Sequence, residues 1–171
     1  MASTCLQGRI LTAGGWLQGR LYFEGGRIQR LEEDASVAAD QIILPGFIDL
    51  HVHGGAGHDI MEGGDAALHV ATLHARHGTT SLLATTMTAP QSDLDAAFAA
   101  MGPLCRKRAP NAARVLGVHL EGPYISEARL GAQPPFARPA SFDEIHRLHA
   151  MAPIRLITLA PEVGGNHDLI A

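Results

Sequence analysis

Three side chains in this sequence have the types and spacing to hold a cation: His51 and His53 in the run FIDLHVH, and Glu121 in the run HLEGPY. Residues two apart on a β-strand share a face, so an H-x-H pair at a strand end presents two imidazoles to one side, with Asp49 on that side as well. Imidazole nitrogen and carboxylate oxygen are donors that a borderline divalent cation accepts together. By itself, H-x-H fits an ordinary polar strand end with hydrogen-bonded histidines better than a metal site. Glu121 shifts that balance. A carboxylate set among Val118, Leu120 and Pro123 needs a compensating partner, and a cation is one.

The other histidines of the ten carry less. His69, His74 and His77 fall within one predicted helix, and His146 and His149 within another. Neither helix contains the H-E-x-x-H pattern that would couple an imidazole pair to a carboxylate, so helix-face roles are expected. His119 shares a face with Glu121 and is expected to orient it, line the site or pack inside the fold. His58 and Asp59 follow a glycine-rich turn and are expected to structure that loop.

The elements that must position these residues follow from the hydrophobic pattern. Residues 6 to 31 hold short strand-like runs, RILTA, GGWLQG and RLYF, then IQRL. Gly25 and Gly26 supply the positive-φ positions of a tight hairpin. After Pro45-Gly46 the pattern becomes strand, helix, strand, helix. FIDLHVH (47 to 53), TSLLATT (80 to 86), RVLGVHLE (114 to 121) and IRLITLAPE (154 to 162) read as strands.

Between them lie three predicted helices. The first runs from Asp65 as N-cap to Gly78 as C-cap; the second is capped by Ser92; the third starts with the capping-box pair Ser141 and Glu144. R-K-R at 106 to 108 reads as a solvated helix end. No helix is expected after the fourth strand. Four strands joined by helical crossovers predict a parallel α/β sheet. A TIM-type barrel has eight such units in about 250 residues, so this chain would hold half of one. An open doubly wound sheet is the alternative, but the first strand-to-helix turn, HGGAGHD, is not the phosphate-binding G-x-G-x-x-G.

Composition narrows the function classes. With 171 residues, 46% apolar and 18% charged, the chain should fold around a buried core. A formal net charge of -4 without blocks of like charge gives no reason to expect nucleic acid or an anionic membrane as partner. The N-terminus lacks a secretory pattern and no window reaches the length of a membrane span, so a cytoplasmic protein is expected. Cys5 and Cys105 are far apart in sequence, without metal spacing, and read as reduced thiols.

The runs LPGFIDLHVHGGAGHD, HLEGPYIS and GAQPP occur here in that order. With them, the chain resembles the N-acetylglucosamine-6-phosphate deacetylases of the amidohydrolase superfamily over essentially its whole length. H-L-E-G-P is the most specific element. The resemblance implies an α/β fold: the N-terminal half of a TIM-type (β/α)8 barrel over 46–171, preceded by part of a small β-sandwich domain over 1–45.

It also implies a divalent metal held by Glu121, His51 and His53. Zinc is the expected ion, with iron(II) or another divalent ion as alternatives, in a one-ion or two-ion site. Ala132 and Gln133 match the positions that grip the amino sugar, where the family usually has histidine in place of Gln133. The implied reaction releases acetate from the phosphorylated amino sugar, giving glucosamine 6-phosphate, in a homodimer when full length. The family's catalytic aspartate and its two further metal histidines would lie beyond residue 171. The 171 residues alone are therefore expected to be inactive.

Two rivals stay open. One is another amidohydrolase acting on a cyclic amide or ureide, as a dihydroorotase does; H-L-E-G-P argues against it, because that carboxylate stands where the superfamily more often has a bridging lysine. The other is a non-catalytic half-barrel that needs a partner chain.

Overall fold

The computed structural model describes residues 4–170. It divides between Gly46 and Phe47 into two compact units.

In the first unit, β1 (Thr4–Thr12), β2 (Gly15–Glu24), β3 (Arg27–Glu33) and β4 (Ile42–Ile43) form one sheet in the order β3-β2-β1-β4. The predicted hairpin is present: Gly25 and Gly26 turn β2 into β3 at φ 58° and 76°, values open to glycine without strain. GGWLQG and RLYF, expected as separate runs, are one ten-residue strand. Gly19 makes that continuity possible, because any Cβ there would stand 1.9 Å from the Glu32 carbonyl oxygen.

The second unit carries β5 (Phe47–Val52), a small hairpin of β6 (Gly54–Gly55) and β7 (His58–Asp59), and a 3-10 turn over Ile60–Glu62. Then come α1 (Ala66–Arg76), β8 (Thr79–Thr85), α2 (Gln91–Arg106), β9 (Arg114–Glu121), a 3-10 turn at Glu127–Arg129, α3 (Phe142–Met151), β10 (Ile154–Thr158) and α4 (Asn166–Ile170). Strands β5, β8, β9 and β10 lie side by side in chain order, all parallel. Helices α1 and α2 pack on β8 and β9. Val70, Leu82, Leu94, Phe98, Met101, Val118, Leu120 and Leu148 are fully buried between the layers. The near-continuous apolar runs of β8 and β9 have this cause: a parallel strand in an α/β sheet has little solvent face.

Several boundaries differ from the sequence reading. α2 starts after Pro90, whose φ of -54° already suits a helix start, and Ser92 sits in the first turn with its hydroxyl on Asp93 Oδ1 at 2.9 Å. Asp65 holds the N-cap position of α1, but its side chain makes no cap bond. α1 ends at Arg76 with His77 as C-cap; Gly78, at φ 92°, is the left-handed residue that follows. The first and fourth predicted strands stop early, at Val52 and Thr158, and the tail past β10 forms the short α4. Among the described residues, no helix is long and apolar enough to cross a membrane.

Candidate metal centre

β5 does not run evenly beside β8: the register shifts between Asp49 and Val52. Two side chains take up the backbone groups freed there. Asp49 Oδ1 accepts from the His51 N–H at 3.0 Å, and Thr85 Oγ1 accepts from the Val52 N–H at 2.9 Å. Such irregularities re-aim side chains at strand ends. The Asp49 carboxylate, read from sequence as sharing the histidine face, is thus engaged with its own strand. His53 lies just past β5, with Nδ1 3.2 Å from the Thr85 carbonyl oxygen. A carbonyl only accepts, so Nδ1 is the donor and neutral His53 turns Nε2 outward as a lone-pair atom.

That lone pair meets a carboxylate. His53 Nε2 is 2.9 Å from Glu121 Oε2, yet the approach lacks hydrogen-bond alignment, and Oε2 is buried without a hydrogen-bond partner. Two acceptor atoms this close require a cation or a proton between them. One ligand atom from each of His51, His53 and Glu121 can be chosen so that all lie within 4.8 Å of one another. β8 separates β5 from β9, so the three residues converge across an intervening strand whose last residues, Ala84 and Thr85, are small. Two imidazoles, one carboxylate and an orphaned buried oxygen fit a divalent cation.

His119 is placed against His51 rather than Glu121. The residue is 4% exposed, with Nδ1 3.1 Å from His51 Nδ1 and Nε2 2.8 Å from Thr158 Oγ1. Burial first, and then the neighbouring His51 ring, hold the His119 imidazole below its usual range. The remaining histidines stay local. His58 is paired with Glu62 at 3.0 Å and stacked on His69, Asp59 Oδ1 caps the following 3-10 turn at Met61, and His74 Nε2 lies 3.3 Å from the Gly54 carbonyl oxygen.

The loop leaving β9 turns at once. Gly122 has φ 66°, and a Cβ there would stand 2.0 Å from Thr88 Oγ1. Further along, Ala132 is exposed, while Gln133 Oε1 accepts from the Thr88 N–H at 2.7 Å and its amide nitrogen lies 3.6 Å from Met87 Sδ. Gln133 therefore ties its loop to the segment after β8 and keeps one amide N–H and one Oε1 lone pair for a ligand.

Sequence reasoning missed the groups that anchor this loop. Arg138 donates to the Ala89 carbonyl at 2.9 Å and to Glu144 Oε1 at 2.6 Å, and Tyr124 Oη donates to Glu144 Oε2 at 3.0 Å. Fully buried Asn166 joins Tyr124, Ala140 and Ala160. Of the expected capping box only half forms: the Glu144 N–H donates to Ser141 Oγ at 3.3 Å, while the Glu144 carboxylate is engaged by Arg138 and Tyr124.

The model of the amidohydrolase family matches residues 42–160, and the chain belongs to that family. Among curated proteins it is 38% identical over 165 residues to an N-acetylgalactosamine-6-phosphate deacetylase of Escherichia coli O157:H7, covering 92% of this chain and 44% of that one. It is 35% identical to the N-acetylglucosamine-6-phosphate deacetylase of Bacillus subtilis, covering 81% and 36%.

Among solved structures, the N-acetylglucosamine-6-phosphate deacetylase of Thermotoga maritima superposes with a TM-score of 0.86 at 28% identity, covering 98% of this chain and 45% of that one. A variant of the Mycobacterium smegmatis enzyme, in complex with N-acetyl-D-glucosamine-6-phosphate, gives 0.84 at 30%, covering 99% and 46%. The chain thus spans less than half the length of these relatives.

Proposed function

We propose that this chain supplies the N-terminal part of the active site of a metal-dependent deacetylase. The reaction is hydrolysis of the acetamide of N-acetylglucosamine 6-phosphate to glucosamine 6-phosphate and acetate. One observation carries the proposal: His51, His53 and Glu121 converge within 4.8 Å at the C-terminal rim of a parallel sheet, in a chain similar to deacetylases of phosphorylated amino sugars. Active sites of α/β barrels are built on that rim.

His51, His53 and Glu121 hold the metal, with zinc as the expected ion, iron(II) or another divalent ion as alternatives, and one or two ions bound. When bound, such an ion supplies Lewis acidity for an amide carbonyl and acidifies water toward neutral pH. The chain's own residues hold and orient. The Thr85 carbonyl fixes the His53 ring, and Asp49 and Thr85 fix the strand end that carries both histidines. Ala132 and Gln133 face the sugar, Gln133 through the hydrogen-bonding capacity its amide keeps. The family's aspartate that moves the proton has no counterpart in these 171 residues, which accordingly provide no catalytic acid or base.

The finer architecture belongs to the same proposal. Residues 46–171 form the N-terminal half of a TIM-type (β/α)8 barrel, and 1–45 part of a β-sandwich domain. Chain-order parallel neighbours support the barrel over a doubly wound sheet, whose strand order reverses at a switch point. The resemblance supports a homodimer at full length, and two unpaired thiols, Cys5 and Cys105, fit a reducing cytoplasm.

The relatives' names divide over the sugar, galacto or gluco, which differ at one hydroxyl. The test is acetate release by the full-length protein with zinc, from both N-acetylhexosamine 6-phosphates, beside Glu121→Ala. Faster turnover of the gluco substrate, lost in the variant, is expected. No release from either sugar, or an undiminished variant, sinks the reading.

A further inference from the structure

His119 has no role in the reading above, yet it is the most deeply buried imidazole near the cluster, 4% exposed. Burying an imidazole is tolerated when both ring nitrogens are paired, and here both are. The pairing is also informative. At 3.1 Å, two Nδ1 atoms that both carried protons, or both carried lone pairs, would repel; one must donate to the other. A threonine hydroxyl can accept or donate; in the arrangement where Thr158 Oγ1 accepts the His119 Nε2–H, His119 Nδ1 is the acceptor and His51 Nδ1 carries the proton. The free lone pair of His51 then sits on Nε2. A histidine ligand usually gives its second ring N–H to a fixed partner in this way, which sets both tautomer and ring orientation.

The same logic holds His53. There the acceptor is the Thr85 carbonyl, and Thr85 stands opposite His119 in the β8–β9 register. The two histidines of H-x-H are thus braced by neighbouring positions on adjacent strands, one by backbone and one by the His119 ring. The His119 backbone joins in, since its carbonyl accepts from the Thr86 N–H at 3.1 Å.

We propose that His119 is a positioning residue for the metal centre: set between Thr158 and His51, it holds His51 as the Nδ1–H tautomer with Nε2 free to bind a divalent cation. The proposal rests on the reading of His51, His53 and Glu121 as a metal site.

The experiment measures zinc affinity by competition with a chelating dye, and the visible spectrum of bound cobalt(II), on the full-length protein. His119→Phe keeps the volume and removes both bonds. It should weaken zinc about 10–100-fold and alter the cobalt spectrum, as loss of an outer partner does. His119→Asn puts an amide near the former Nδ1 and should recover zinc affinity to within about threefold of the parent protein.

Unchanged zinc affinity in His119→Phe, with Glu121→Ala impaired, overturns the positioning role and leaves the metal site standing. Unchanged affinity in both Glu121→Ala and His51→Ala sinks the metal site and the proposal together. If His119→Phe does not fold, 15N shifts of the His51 ring in the unsubstituted, metal-free protein decide. A dominant Nδ1–H form supports the proposal; an Nε2–H form or an averaged mixture overturns it.

Discussion

Arg138 Nη2 donates to Glu144 Oε1 across 2.6 Å, and the other oxygen of that carboxylate accepts from the hydroxyl of Tyr124, itself fully buried. This pair links the loop carrying Ala132 and Gln133 to α3. Because Tyr124 stands three residues past Glu121, it also steadies the turn beside the candidate metal centre. The first prediction concerns its strength. Removing one partner of a buried pair costs about 3–5 kcal/mol; with Arg138 29% exposed, Arg138→Met should cost about 1–3. Arg30→Met, which breaks the exposed Arg30–Glu32 pair, should cost under about 1 kcal/mol. Urea midpoints at pH 7 compare the two; equal losses would refute the ranking.

Glycine at 122 is a steric requirement. At φ 66°, with Thr88 Oγ1 fully buried where a Cβ would go, Gly122→Ala should destabilise by about 2 kcal/mol or more. Thr88→Ala removes the clashing oxygen but not the φ penalty. The double variant should therefore be more stable than Gly122→Ala alone, and a thermal-melt cycle measures that coupling.

A divalent ion that binds only the folded chain must raise its melting temperature. Zinc at one hundred times its dissociation constant adds about 2.7 kcal/mol to stability. The upward shift should be reversed by a chelator and lost in Glu121→Ala and His53→Ala. A shift that survives Glu121→Ala would place the ion elsewhere.

Stability should fall on both sides of neutrality for separate reasons. Hydrogen bonds from Ser36 first, and then Arg20, hold Asp34 down at about 2 against an ordinary 3.8. A lowered carboxylate stabilises above its unfolded value, and that contribution is lost as pH falls through about 2. On the alkaline side, burial pushes the Cys105 thiol up to about 11 from 9.0, and burial, reinforced by Glu144, also raises Tyr124. Raised groups stabilise below their unfolded values, so stability should drop between pH 9 and 11. Cys105→Ala should flatten that fall in urea titrations run across this range; an unchanged slope would exclude Cys105 as a source.

The edge of the second unit should be adhesive. Among the described residues β5 pairs with a strand on one side only, and Phe47, Ile48 and Leu50 on it are 57%, 62% and 55% exposed. Such an edge associates with whatever covers it. The 171 residues alone should show concentration-dependent light scattering, reduced by Ile48→Lys, and release no acetate. A monodisperse monomer would contradict the first expectation.

Much of the fold was legible because local rules carried it. Strand β9 falls on RVLGVHLE residue for residue, since an apolar run closed by a Gly-Pro turn leaves little freedom. Ser141 caps α3 as its spacing predicts. Legibility failed where a local preference met a stronger neighbour. Ser92 lost its capping position to Pro90, and α4 is too short to announce itself by periodicity.

By itself the sequence determined which side chains are of metal-ligating type and that His53 and Glu121 fall at the same rim, because strand period and strand direction are local properties. Only the tertiary structure decided that these groups meet across β8, at 2.9 Å, and that His119 braces His51 instead of Glu121. The register shift in β5 and the bonds of Asp49 and Thr85 set those distances. The Asp49 bond is local, but the register against β8 and the Thr85 bond join residues more than thirty positions apart, which no periodicity records.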